Sequence, residues 1–107
     1  MEVIEYLTHA RNLIEKGWTQ HHFARDSNGD PVPSITSPSA TCFCTLGALG
    51  RVSADHKTTA GDYTASLMHL RKFLPKKFNN QIAYFNDDPT TTKRKVLNLI
   101  DKAIKAY

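Results

Sequence analysis

Cys42, Cys44 and the pair His21-His22 are the side chains of this sequence with the most obvious chemistry. A thiol at a helix N-terminus ionises more readily than a free one, and an imidazole within reach would complete a nucleophile and base, Cys44 attacking and His21, His22 or His69 taking the proton. No local motif places an imidazole beside the thiol, and a small thiol near Leu46 on an apolar face is ordinary core packing. Cys42, Cys44, His21 and His22 could also offer four zinc ligands. Structural zinc sites, however, use cysteines separated by two to four residues, and here one residue intervenes. Asp26, Asp30, Asp87 and Asp88 could gather around a divalent ion, yet Asp26-Ser27-Asn28-Gly29-Asp30 is too short for a calcium loop and reads as turn chemistry. Phosphate-binding glycine loops and His-Glu-x-x-His helices are missing. No catalytic residue, metal ligand or cofactor is therefore assigned.

These residues must be positioned by a single small domain. At 107 residues the chain can bury about two-thirds of its unfolded surface in one core. Val3, Leu7, Ala10 and Ile14 recur at helical spacing, which predicts a first helix over residues 2 to 16 with Gly17 as a left-handed stop. Trp18 to Val32 reads as a two-stranded ribbon turning at Asn28-Gly29. Residues 33 to 39 form a loop, and Ser39 or Thr41 would cap a second helix over 42 to 53. Gly47 and Gly50 cost that helix about 1 kcal/mol each relative to alanine. Gly47 therefore admits a close neighbour, either another helix or Trp18, or else clears space for a ligand beside Cys44.

Tyr63, Leu67, Leu70 and Leu74 mark a third helix that starts after Thr58-Thr59 and ends at Pro75, and Val96 to Tyr107 a fourth behind Asp88 to Thr92. Between them Ile82, Tyr84 and Phe85 form an apolar turn that plugs the bundle. The fold class expected is mainly α, a four-helix domain with a short β-hairpin inserted after helix one. Its core should join Trp18, Phe23, Leu46, Leu49, Leu67, Leu70, Phe85, Val96 and Ile100.

Charge divides the chain unevenly. Residues 1 to 55 hold four Lys and Arg against six Asp and Glu, whereas residues 56 to 107 hold ten against four. Lys93, Arg94 and Lys95 fall in the first turn of the last helix, where the macrodipole disfavours each cation by about 0.3 to 1 kcal/mol. With Arg71, Lys72, Lys76 and Lys77 they are the candidate partner- or anion-binding surface. No stretch is long and apolar enough for a membrane span, the first segment lacks the features of a secretory leader, and closely spaced free thiols fit a reducing compartment. A cytoplasmic protein with no membrane partner is expected.

Three blocks carry a further signal. Lys16-Gly17-Trp18, Phe23-Ala24-Arg25-Asp26 and Gly29-Asp30-Pro31-Val32 are followed by Phe43-Cys44-Thr45-Leu46-Gly47-Ala48, and then by Phe85-Asn86-Asp87 with Thr90 and a helix from Val96 to Ile104. The pattern resembles that of a family of small phage and bacterial proteins known only as a domain of unknown function. Phe43 and Phe85 stand where tryptophan is usual, Thr45 where leucine is usual, and the basic run Lys93 to Lys95 where mixed or acidic residues are expected. The resemblance brings no reaction. It implies that Trp18, Arg25, Asp26, Cys44, Asn86 and Asp87 make a ligand or structural site, with Arg25 bonded to Asp26 or Asp87. It also suggests an interaction protein in a host cytoplasm, docking through its basic surface on a host protein or ribonucleoprotein complex that presents an acidic or nucleic-acid-binding surface. Inhibition of a CRISPR nuclease complex is the concrete form. A nucleic-acid-binding accessory module and a Cys-dependent hydrolase are the alternatives.

Overall fold

Apolar periodicity and capping residues account for most of the architecture. In the computed structural model, which describes residues 1–107, α1 (Val3–Lys16) turns Val3, Tyr6, Leu7, Ala10 and Ile14 inward. It packs against α2 (Thr45–His56), α3 (Ala60–Arg71) and α5 (Lys93–Lys105). A short α4 (Ile82–Asp87) completes the helices, and Lys76–Phe78 forms a single 3-10 turn between α3 and α4. The fold is mainly α, with one two-stranded antiparallel ribbon after the first helix. Each fully buried aliphatic side chain contributes roughly 1.5 to 3 kcal/mol. Leu7, Ile14, Leu49, Leu70, Val96 and Ile100 are all in that class.

Polar ties fix the helices relative to one another. The buried Tyr6 hydroxyl donates to the Leu49 carbonyl at 2.6 Å, linking α1 to α2, and Arg11 pairs with Asp101 across α1 and α5. Thr59 caps α3 in a reciprocal box with Asp62, and Thr92 caps α5 by accepting the Lys95 N–H. Helix α3 ends at Arg71, short of Pro75. Residues 82 to 87, expected as a plugging turn, are helical: Ile82 and Phe85 are buried, whereas Tyr84 points to solvent.

The ribbon differs from the sequence expectation in its pairing. β1 (Ala24–Arg25) pairs antiparallel with β2 (Cys42–Phe43), Ala24 opposite Phe43 and Arg25 opposite Cys42. The Asn28-Gly29 turn does form, with Gly29 at φ 84°, but its return arm contributes one bridge, Arg25 to Pro31. Asp26 explains why that turn stays compact: its Oδ1 accepts the N–H groups of both Asn28 and Asp30. On its other side Phe43 exchanges backbone bonds with Gly17 and Thr19, so β2 is the central segment. This overturns the left-handed stop. Gly17 is extended, at φ −172°, and its glycine is demanded by close approach: a Cβ there would collide with the Thr41 carbonyl and lie 2.9 Å from the Cys42 sulfur.

Strand alternation also corrects the core. Ala24 faces inward and Phe23, expected there, is 63% exposed, because neighbouring strand residues point to opposite faces. Leu49, Leu70, Phe85, Val96 and Ile100 lie in the core as expected, with Trp18, Leu46 and Leu67 half-buried against it.

Candidate functional site

Asn86 organises the face where the ribbon meets the helices. Fully buried at the end of α4, its side-chain oxygen accepts three bonds: the Trp18 indole N–H at 2.8 Å, the Thr45 hydroxyl at 2.7 Å and the Thr45 backbone N–H at 3.0 Å. Its amide group donates to the Thr19 carbonyl and to Asp87 Oδ1. Gln20 adds bonds to the Asn86 and Asp88 carbonyls. One amide thus satisfies buried donors and acceptors from three separate segments, each of which would cost about 1 to 3 kcal/mol if left unpaired.

Asp87 continues this network outward. Its Oδ1 also accepts the His21 backbone N–H at 2.9 Å, and His21 sits in the left-handed region at φ 71°, uncommon for a residue other than glycine. Its Oδ2 stands 4.0 Å from the His21 ring. Arg25 does not join them. Its guanidinium donates instead to the Thr19 hydroxyl, the Gly29 carbonyl and the Gln20 carbonyl, so it braces the ribbon turn from within. The expected bond from Arg25 to Asp26 or Asp87 is absent because Asp26 is committed to the turn amides and Asp87 to His21 and Asn86.

Cys44 sits at the start of α2, as its cap. Helix α2 begins three residues later than expected, so Cys44 is its N-cap rather than an interior residue, and its sulfur accepts the Gly47 N–H at 3.2 Å. Neither Ser39 nor Thr41 serves as the cap. Burial pushes the thiol above its ordinary pKa despite the helix N–H groups, and the Asp87 charge pushes the same way. No histidine bonds to it: His69 is turned to the Ala103 carbonyl at 2.8 Å and packs against Phe73 and Tyr107. Gly47 does not clear room for a ligand, because the Phe23 carbonyl occupies the place of its Cβ. The close neighbour it admits is ribbon backbone.

Around these residues lies a cleft of about 840 Å³. Phe23, Val32, Ile35, Leu46 and Tyr63 supply its apolar walls, and His21, His22, Cys44, Asn86 and Asp87 its polar groups. The sequence-predicted Cys44, Asn86 and Asp87 therefore meet in one cavity, with Trp18 bonded to it from behind and Arg25 and Asp26 in the adjoining turn. His21 and His22 line the same cleft as Cys44, though neither bonds to the thiol, and Tyr63 reaches it from α3, which nothing local in the sequence links to the ribbon. Cys42 and Cys44 are both free thiols, and no three His, Cys, Asp or Glu side chains are grouped to hold a metal ion.

The basic residues separate into two sets. Lys77 and Lys95 line a second groove, of about 380 Å³, together with Lys102, which is not among the seven predicted cations. Phe73, Phe78, Phe85 and Leu99 form its apolar lining. The Lys77 ammonium lies 5.1 Å from the centre of the Phe78 ring, and Lys95 donates to the Thr90 carbonyl at 2.9 Å. Arg71 is bound to the Asn80 carbonyl, while Lys72, Lys76, Lys93 and Arg94 lie outside the groove. None of the seven predicted cations, nor Lys102, forms an ion pair. No helix is long and apolar enough to cross a membrane.

The chain belongs to a family of unknown function (DUF6197), whose model matches residues 1–106. No curated protein and no solved structure matches the sequence.

Proposed function

We propose that this family member is an interaction protein that docks on an acidic partner through the groove bounded by Phe73, the 3-10 turn and α5. The observation that supports this is the convergence of Lys77, Lys95 and Lys102 on an apolar floor whose lining contains no carboxylate. Exposed lysines steer an oppositely charged surface and fix its register, and a desolvated apolar floor supplies most of the contact energy. The partner class is a host protein or ribonucleoprotein complex with an acidic or nucleic-acid-binding surface. Anti-defence inhibition of a CRISPR nuclease complex is its finer form, supported by the resemblance to a family of small phage and bacterial proteins and by the ten cations against four carboxylates in the second half.

Bare nucleic acid is the weaker reading. Single-strand binders interleave cations with aromatic faces free to stack, whereas Phe78 and Phe85 are buried edge to face against each other. Hydrolysis at Cys44 has less support still, as the thiol is raised by burial and has no bonded base.

Retention of host proteins on the immobilised chain, after nuclease treatment, tests the proposal against a K77E/K95E/K102E variant. Loss of a discrete retained protein in the variant is expected. Retention unaffected by the triple reversal overturns the assigned surface, and salt-steep binding to nucleic acid alone favours the accessory module.

A further inference from the structure

We infer that the cleft between the ribbon, α2 and α4 is a binding site for a small apolar amine, a molecule with an aromatic or aliphatic body and a protonated or N–H-rich nitrogen. Its volume of about 840 Å³ falls in the range of small-molecule sites, and such sites combine apolar walls with a few convergent polar groups. Two acceptors in the cleft are left unspent by the fold. The half-buried Tyr63 hydroxyl has no hydrogen-bond partner in the protein, although burial keeps it firmly protonated. Asp87 Oδ1 takes the N–H groups of His21 and Asn86, leaving Oδ2 with no hydrogen bond.

Charge selects the ligand. Asp87 is the only Asp, Glu, Lys or Arg in the lining, so the cleft presents one carboxylate and no fixed cation. Asp87 disfavours an anion, whereas an ammonium meets Asp87 Oδ2 in a charge-assisted bond beside the exposed ring of His21, 4.0 Å away, and that of His22. The apolar body then lies along Leu46 and Tyr63. The site is separate from the lysine groove and does not depend on the docking reading.

The test is a titration of the ¹⁵N-labelled protein with phenethylamine, phenylacetate and ethylbenzene at neutral pH. Saturable amide shifts confined to residues around Leu46, Gly47 and Asp87 are expected with the amine alone. Asp87→Asn should weaken that binding roughly tenfold or more, the worth of a hydrogen bond to a charged group, while retaining an oxygen for His21 and Asn86. Should that variant not fold, Ala83→Leu serves instead: it fills the cleft and should abolish the shifts. Equal response to phenylacetate, no saturable shift with the amine, shifts mapping to the lysine groove, or binding that survives a folded variant would each overturn the site.

Discussion

Trp18 donates its indole N–H to the side-chain oxygen of Asn86 at 2.8 Å, across 68 positions of sequence. This bond fastens the segment after α1 to the end of α4, and it is one of three that converge on the same oxygen. Asn86→Ala strands the Trp18 and Thr45 donors in a buried setting, so a loss of about 3 kcal/mol or more is expected. Trp18→Phe leaves the Asn86 oxygen its two Thr45 donors and should cost nearer 1 kcal/mol from hydrogen bonding. A thermodynamic cycle over both substitutions, read by urea unfolding, should give a double variant less destabilised than the sum of the singles. Strict additivity would show that the bond contributes nothing.

Cys44 should be the slow thiol of the pair. Its pKa is raised, so the reactive thiolate is scarce at neutral pH, and the side chain is also shielded. Cys42 is half-exposed. Iodoacetamide at neutral pH should therefore label Cys42 first, with Cys44 reacting at a comparable rate only after unfolding; peptide mass spectrometry distinguishes the two. Cys44→Ser places a preferred capping residue at the start of α2 and should retain stability within about 1 kcal/mol.

The presence of α1, α3 and α5 was legible in the sequence, from apolar period in all three and from the caps Thr59 and Thr92 in the last two, because those causes lie within a few residues of their effect; the stops were not, since Gly17 is extended and α3 ends at Arg71, short of Pro75. The start of α2 was not legible, since cysteine is not among the usual capping residues and Thr41 competes for the role. The parity of the ribbon was lost for a related reason: two-residue strands carry too little alternation to show whether Phe23 or Ala24 faces inward. Of the site, Cys44, Asn86 and Asp87 could be named, but their meeting depends on bonds spanning 41 to 68 positions. Tyr63 joins them only through packing.

Asp62 provides a titration handle on α3. The Thr59 backbone N–H holds its carboxyl below the ordinary carboxylate pKa, and the chain's amino terminus, 3.4 Å away, adds to the effect. A carboxylate with a depressed folded-state pKa contributes stability above its unfolded pKa, about 3.9, and loses it as pH falls through the lower folded value. Asp62→Asn should lower the melting temperature at pH 7, and the difference from the parent should shrink below about pH 4. A difference that is constant from pH 7 to pH 2.5 would remove Asp62 from the acid response.

Lys93 and Arg94 stand in the first turn of α5, where the exposed N–H groups favour anions. Neither side chain has an ion pair, and neither lines the lysine groove, so their replacement removes an unfavourable charge without breaking a salt bridge. Lys95 differs, because it donates to the Thr90 carbonyl and its field helps to lower the Asp88 pKa, after the bonds from Thr90. Lys93→Glu with Arg94→Glu should therefore stabilise the protein by roughly 0.5 to 2 kcal/mol at low salt, fading as ionic strength rises. Adding Lys95→Glu should return part of that gain. Thermal melts of the double and triple variants at two salt concentrations test the ordering. If the double variant is less stable than the parent at low salt, the two cations serve a contact within the fold rather than opposing its dipole.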